Sequence, residues 1–241
     1  MNKERQSGLF FLGLFVAAGL AAAGYFVGQT MYNAKVALNT AEAKGLAERR
    51  VTADRANWEI VIQVEGASKE EVPDLYAQAE QHRQAVIDLL KENGFADNEI
   101  QPGVLDYKYR EFRDENQVLV DQIHTLVGSV NVETEKIELV GKARTDINKL
   151  IAQGIDIENK APAYRFTGLN TIKPDMLREA TKNARIAANE FAENAGVHVG
   201  GIRSARQGNF YVRDAGEEYG DRKKIEKDVR VVTTITFYLT E

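Results

Sequence analysis

The sequence predicts an α+β fold, a mostly antiparallel sheet with helices packed on one face, carried behind an N-terminal membrane helix. Three observations predict it. Six segments read as strands, and the first of them, around Ala56 to Val64, alternates at period two, the mark of a half-buried strand. Three long segments repeat apolar residues at helical spacing. The order is strand–helix–strand–strand, helix, strand–helix–strand–strand, which reads as a duplicated unit.

The chain opens with Lys3 and Arg5, then "GLFFLGLFVAAGLAAAGYFVG", Gly8 to Gly28. These 21 residues would span roughly 31 Å as a helix, about the thickness of a bilayer core. A cleaved signal has a shorter apolar core and a small-x-small site. Ala21–Ala23 could be such a site, but Tyr25, Phe26 and Val27 continue the run. The reading is a retained single-pass anchor: residues 1–7 cytoplasmic, 8–28 in the inner membrane of a bacterium, and the C-terminal domain in the periplasm. The alternative is secretion after cleavage. Gly13, Ala17, Ala21, Gly24 and Gly28 share one helix face and include a small-xxx-small pair, a helix-packing signal. The competing reading is that such segments are simply rich in Ala and Gly.

Residues 29–49 read as a polar, helix-prone stalk, and residues 50–241 as the folded domain. In "RRVTADRANWEIVIQVEG", Ala56, Trp58, Ile60, Ile62 and Val64 point to one side of a strand. A helix follows from Val72 to Asn93, with Leu75, Ala79, His82, Val86 and Leu89/Leu90 inward, Pro73 in its first turn and Gly94 past its end. Ser68-x-x-Glu71 resembles a capping box, but Pro73 would then sit a turn inside, so the later start is preferred. Ile100–Phe112 and Val118–Val132 form a hairpin turning at Arg113–Asn116.

A second helix fits Ile137–Ala152, with Val140, Ala143, Ile147 and Leu150/Ile151 inward. A short strand is expected at Ala163–Leu169. The third helix runs from Pro174 to Ala195, its stripe being Leu177, Ala180, Ala184, Ala187/Ala188, Phe191 and Ala195. Strands at Gly201–Tyr211 and Asp228–Leu239 close the chain, the latter with Val229, Val231, Thr233, Ile235, Phe237 and Leu239 on one face.

Charge and chemistry narrow the function. The net charge is −5, against nucleic acid as a partner, because phosphate binding needs a basic footprint. There is no cysteine, hence no disulfide, thiolate metal site or thiol nucleophile. His82, His124 and His198 lie far apart and in no metal-ligand spacing, and no nucleophile or phosphate-loop motif occurs. No catalytic, cofactor-binding or metal-ligating residue is assigned, and no enzyme is expected.

Three surface features stand out. Arg178, Lys182 and Arg185 form a basic stripe, read as a solvated helix face. "DYKYREF" places Tyr107 and Tyr109 on one strand face and Lys108, Arg110 and Phe112 on the other, either a protein interface or ordinary sheet packing. "RDAGEEYGDRKKIEKD", Arg213 to Asp228, interrupts the last hairpin with five basic and six acidic side chains. It is either a mobile tip or a subunit contact, with Tyr219 at its centre.

"VTADRANWEIVIQVEG", "LLKENGFADNEIQ" and above all "LREATKNARIAANEFAENAGVHVGGIRSARQ" resemble the SIMPL-domain family. Ala195–Gly200 matches its Ala-Gly-Val-x-Val-Gly segment, and the bulky Trp58 departs from its small-residue first strand. The resemblance implies a membrane-anchored or periplasmic protein with no established activity, linked to envelope and oxidative stress and to large homo-oligomers. The functional expectation is therefore a non-enzymatic anchored envelope protein that self-associates, with inner-membrane lipid around residues 8–28 as its other partner. The alternative is a periplasmic module binding a peptide, lipid or small molecule.

Overall fold

A computed structural model describes residues 3–36 and 39–240; the rest of the expected N-terminus and stalk, at residues 1, 2, 37 and 38, and Glu241 lie outside the described residues. The first element, α1 (Lys3–Val36), contains the expected span and continues past it. Within it the 25 residues Phe10–Ala34 are long and apolar enough to cross a membrane, about 37 Å of helix. Every side chain from Phe10 to Ala34 is exposed.

The expected stalk is not helical throughout. Its first part lies in α1, and from Thr40 it is strand β1 (Thr40–Thr52). The stretch is rich in Ala, Glu and Lys, all better helix than strand formers. Tertiary packing overrides that preference: Ala43 and Ala47 are buried, and Gly45 lies so close to a later helix that a Cβ would strike the Ala180 carbonyl oxygen and the Ala184 nitrogen.

The remaining elements are β2 (Arg55–Gly66), α2 (Val72–Glu92), β3 (Ile100–Pro102), β4 (Asp106–Arg113), β5 (Leu119–Thr134), α3 (Ile137–Ala152), β6 (Asp156–Asn159), β7 (Ala163–Arg165), α4 (Leu169–Asn194), β8 (His198–Gln207), β9 (Tyr211–Asp214) and β10 (Glu226–Thr240). The fold is α+β with antiparallel sheets, divided into two units.

One unit holds residues 48–173 and 211–230. Its six-stranded sheet has the order β3-β5-β2-β6, with β4 also on β5 and β7 also on β2. Ala56, Trp58, Ile60 and Ile62 of β2 and Val130 and Val132 of β5 meet Val86 and Leu90 of α2 and Val140, Ala143, Ile147 and Leu150 of α3. This is the expected helices-on-one-face arrangement, and each such buried aliphatic contributes about 1.5–3 kcal/mol. Pro73 stands in the first turn of α2. Ahead of it, Glu71 reaches back to the Ala67 N–H and the Ser68 hydroxyl. His82 is half-buried on α2 with Nδ1 shut from solvent and unpartnered, and burial holds its pKa below the ordinary value. The short strand β6 pairs with Ile60–Gln63 and is not expected from the sequence, since Ile157 is its one buried residue.

The other unit holds residues 1–47, 174–210 and 231–241. Here α4 buries Ala184 and Ala188 against Ala43 of β1 and Ile235 and Phe237 of β10. The four-stranded sheet has the order β1-β10-β8; β9 pairs with β10 at Lys227–Arg230, residues that belong to the first unit. The Leu239 N–H bonds Asn39 O, and Arg50 pairs with Asp228, so β1 and β10 run antiparallel. The strand–helix–strand–strand unit is repeated topologically: β2-β5-β4 with α2 in one sheet, β1-β10-β8 with α4 in the other. The strand leading the second repeat is β1, however, not the segment at 163–169. That segment is shorter than expected and pairs with β2.

The third helix differs in two ways. It starts at Leu169, leaving Pro174 inside it. The cap comes from far along the chain: the Asp54 carboxylate accepts the N–H groups of Thr167, at 2.8 Å, and Gly168, at 3.0 Å, an anion where helix N-termini favour one. Its buried stripe is Met176, Ala180, Ala184, Ala188 and Ala192, while Phe191 is 63% exposed and Ala195 is also exposed.

Candidate functional site

The surface feature that the core does not explain is a projecting ribbon. Strand β5 is 16 residues long, and its pairing with β2 ends at Gly66 opposite His124. Beyond that point Leu119–Ile123 pairs with β4 alone. The turn is built by Asp114, whose Oδ1 accepts the N–H groups of Asn116 and Val118, both at 2.8 Å. Gln117 takes the left-handed conformation, φ 64°. Among the described residues β4 pairs with no strand other than β5, so the ribbon carries an unpaired edge, a template for another chain. Phe112, Val118, Leu119 and Val120 are all exposed on it, Val120 at 68%.

The register puts the tyrosines and the cations of β4 on opposite faces, as the alternation predicts. Tyr107 and Tyr109 are committed internally. The Tyr107 hydroxyl lies 2.6 Å from Nδ1 of buried His124, and the Tyr109 ring lies tilted, its centroid 4.8 Å from that of the imidazole. The Tyr109 hydroxyl donates to Glu111 at 2.6 Å. This bond, with Arg113, holds the Glu111 carboxyl below its ordinary pKa, while the same contact raises that of Tyr109.

The opposite face is open. Lys108 stands across from Thr125, and Arg110 across from Ile123. A cavity of about 580 Å³ lies there, lined by Ile123, Thr125 and Val127 of β5, Gln63 and Glu65 of β2, and residues 108–110 of β4. Among the described residues neither Lys108 nor Arg110 has a carboxylate within ion-pair distance. Glu65 accepts instead from Gln63, at 2.7 Å. Of the expected interface residues, Arg110 and Phe112 therefore share the open face, and Tyr107 and Tyr109 serve the other. Sequence reading missed Val118–Val120, whose exposure follows from β2 ending early.

Tyr219 is elsewhere, in the excursion between β9 and β10, and is 82% exposed. The base of this segment, expected as either a mobile tip or a subunit contact, is anchored in the fold. Asp214 and Lys227 are both fully buried and pair at 2.6 Å. The Asp214 carboxylate also accepts the N–H groups of Lys223 and Lys224, and the Lys227 ammonium donates to Asp221 O. Burial pushes the Asp214 carboxyl up, but Lys227 and the two N–H groups outweigh it and hold its pKa below the ordinary value. Two more bonds tie the excursion down, Ala53 N–H to Ile225 O and Tyr164 N–H to Arg222 O, both 2.8 Å.

The small-residue face of α1 meets no partner among the described residues. A Cβ added at Gly13, Gly24 or Gly28 would meet nothing within 4 Å, and Ala17 and Ala21 are exposed. The basic stripe of α4 is partly used: Arg178 pairs with Asp175, and Arg185 lies over the Phe237 ring and donates to Gly200 O. Another open cavity, about 640 Å³, is lined by Arg55, Glu99, Glu133, Glu135 and Lys136, whose charges pair with each other. Among the described residues no group of three or more His, Asp or Glu side chains is placed to hold a metal ion.

The profile of the SIMPL family, described as a protein of unknown function (DUF541), matches residues 42–237. The chain belongs to the SIMPL family. Its first matched residues fall in β1, the strand hidden in the expected stalk. No curated protein matches the chain. Among solved structures, the de novo designed protein Foldit4 is similar over 44% of this chain and 93% of its own, at 16% identity and TM-score 0.23. An uncharacterized conserved protein from Listeria innocua is similar over 76% of this chain and 90% of its own, at 12% identity and TM-score 0.20. A Burkholderia cenocepacia protein described as an amidohydrolase/peptidase is similar over 57% of this chain and 35% of its own, at 12% identity and TM-score 0.21. Likenesses this low carry no argument about this SIMPL protein.

Proposed function

We propose that this SIMPL protein is a non-enzymatic, single-pass envelope protein, anchored in the inner membrane by α1, whose periplasmic body self-associates. The observation that carries the reading is the β4–β5 ribbon, which stands clear of β2 with an unpaired edge and exposed Phe112, Val118, Leu119 and Val120. Monomers manage such edges by covering them, and a second subunit is one cover. Confinement by α1 would raise the local concentration of copies, so that weak contacts suffice. Its bare Gly/Ala face offers a second surface for close helix approach.

The alternative, a periplasmic binding module, calls for a deep, mainly apolar pocket. The two open cavities described above have charged and amide side chains in their lining, which favours the first reading. Multi-angle light scattering of the full chain in detergent or nanodiscs tests it. A defined oligomer is expected, which Val118→Glu/Val120→Glu dissociates. A strict monomer at high concentration overturns the reading. Anchoring is tested by alkaline washing of membranes, where the full-length chain is expected in the pellet; a shortened chain released by osmotic shock overturns it.

A further inference from the structure

The self-association reading leaves open which surfaces meet, and two features of the same unit complement one another. The cavity on the open face of the ribbon offers two cations without carboxylate partners, Lys108 and Arg110, together with the aliphatic Ile123 and Val127. The stretch Ala215–Asp221 at the β9–β10 excursion carries Glu217, Glu218 and Asp221 and no basic residue. Gly216 and Gly220, at φ 74° and 91°, turn its backbone on either side of Tyr219. Glu217 is used within the excursion, paired to Lys224 at 3.0 Å. Glu218, next to the exposed Tyr219, has no ion-pair partner among the described residues.

We propose that the Glu218–Tyr219 tip of one copy docks into the Lys108–Arg110 cavity of a second copy. This rests on the self-association reading and names its contact. The tip presents an anion and an aromatic ring with a polar end; the cavity is lined by two cations, by one carboxylate, Glu65, that accepts from Gln63, and by apolar side chains. Tyr is among the commonest anchors of protein interfaces, and complementary charge sets register and encounter rate. Both partners are built in advance, the cavity by the β2–β5–β4 ladder and the tip by the buried Asp214–Lys227 pair, so little ordering entropy opposes the contact. Tip and cavity are different surfaces, so the contact is heterologous and generates rings or open chains of copies.

The chain has no cysteine, so introduced thiols can be read without background. Full-length Tyr219→Cys and Thr125→Cys proteins, carrying tags of different size, are mixed in detergent, reconstituted together and oxidised. Mixed disulfide-linked pairs are expected, and none when Thr125→Cys is replaced by Asp88→Cys on α2. Adding Arg110→Glu to the cavity copy should lower the yield about tenfold, as like charges then face each other, and Glu218→Lys in the tip copy should restore it. Trp58 fluorescence confirms that each variant is folded, and Lys108→Glu repeats the test at the neighbouring cation. An oligomer by light scattering without mixed pairs, or with a yield indifferent to these charges, overturns this contact and leaves self-association standing. Absence of any oligomer overturns both.

Discussion

Replacing Lys227 with Met tests whether the excursion between β9 and β10 is held by its buried ion pair. In the native protein the ammonium is fully buried, 2.6 Å from Asp214 Oδ1 and 2.8 Å from Asp221 O. Met fills much of the same volume but supplies no charge and no donor. Asp214 then keeps only the N–H groups of Lys223 and Lys224, and a carboxylate is left in a dry site without its counter-ion. Breaking a buried pair by removing one partner costs about 3–5 kcal/mol. At about 2–4 °C per kcal/mol for a body of 150–250 residues, the midpoint should fall by roughly 6–20 °C. The single tryptophan, Trp58, is 2% exposed in the core of the same unit, so its fluorescence during guanidinium and thermal unfolding of the full chain in detergent reads the loss directly. Arg50→Ala is the matched control: its partner Asp228 is at a similar distance, 2.9 Å, but both are substantially exposed, and about 0–1 kcal/mol is expected. A loss below about 1 kcal/mol for Lys227→Met would refute the argument that burial makes this pair strong.

Three further outcomes follow from the same geometry. Gly45→Val should destabilise the four-stranded unit by about 1–3 kcal/mol, because its side chain meets the backbone of α4 at Ala180 and Ala184 rather than a movable side chain; a melting temperature by circular dichroism equal to the parent's would contradict it. Acid should weaken the six-stranded unit. Asp214 and Glu99 have folded pKa values below their ordinary ones, so between the two values the unfolded chain binds more protons; the stability they supply is present above the ordinary carboxylate range and lost as pH falls through the folded values, from about pH 5 downward. Denaturant titrations from pH 7 to pH 3 check this, and Asp214→Asn should flatten part of the slope. Tyr107→Phe removes the hydroxyl that pairs with His124 Nδ1, whose ring Nε2 is unpartnered among the described residues, and should cost about 1–3 kcal/mol; an unchanged unfolding midpoint would contradict it.

Much of the fold was legible because it is written in local periodicity. The bounds of α2 and α3 and the inward faces of β2 and β10 follow from spacing alone, since each buries one regular stripe. What was not legible depends on partners distant in sequence. β1 looks helical until α4 is laid against its alanines and Gly45. The start of α4 is set by Asp54, 113 residues from Thr167, so no signal beside Leu169 announces it. Phe191 lies among the alanines in sequence yet is exposed, because it falls one position off the Met176, Ala180, Ala184, Ala188, Ala192 stripe. At the candidate site, alternation separated Tyr107 and Tyr109 from Arg110 and Phe112. Only the register with β5 shows that the tyrosines serve His124 while Lys108 and Arg110 are left without counter-ions. Lys227 reads as one more charge in a charged loop until β10 places it on the same inward face as Val229 and Val231.

The short junction between α1 and β1 sets how far the protein can work from a bilayer. Helix ends at Val36 and strand begins at Thr40, a gap that even a fully stretched chain bridges with only about 14 Å. With α1 embedded as proposed, the body would stay close to the bilayer surface, so a partner would have to come down to that surface or share it.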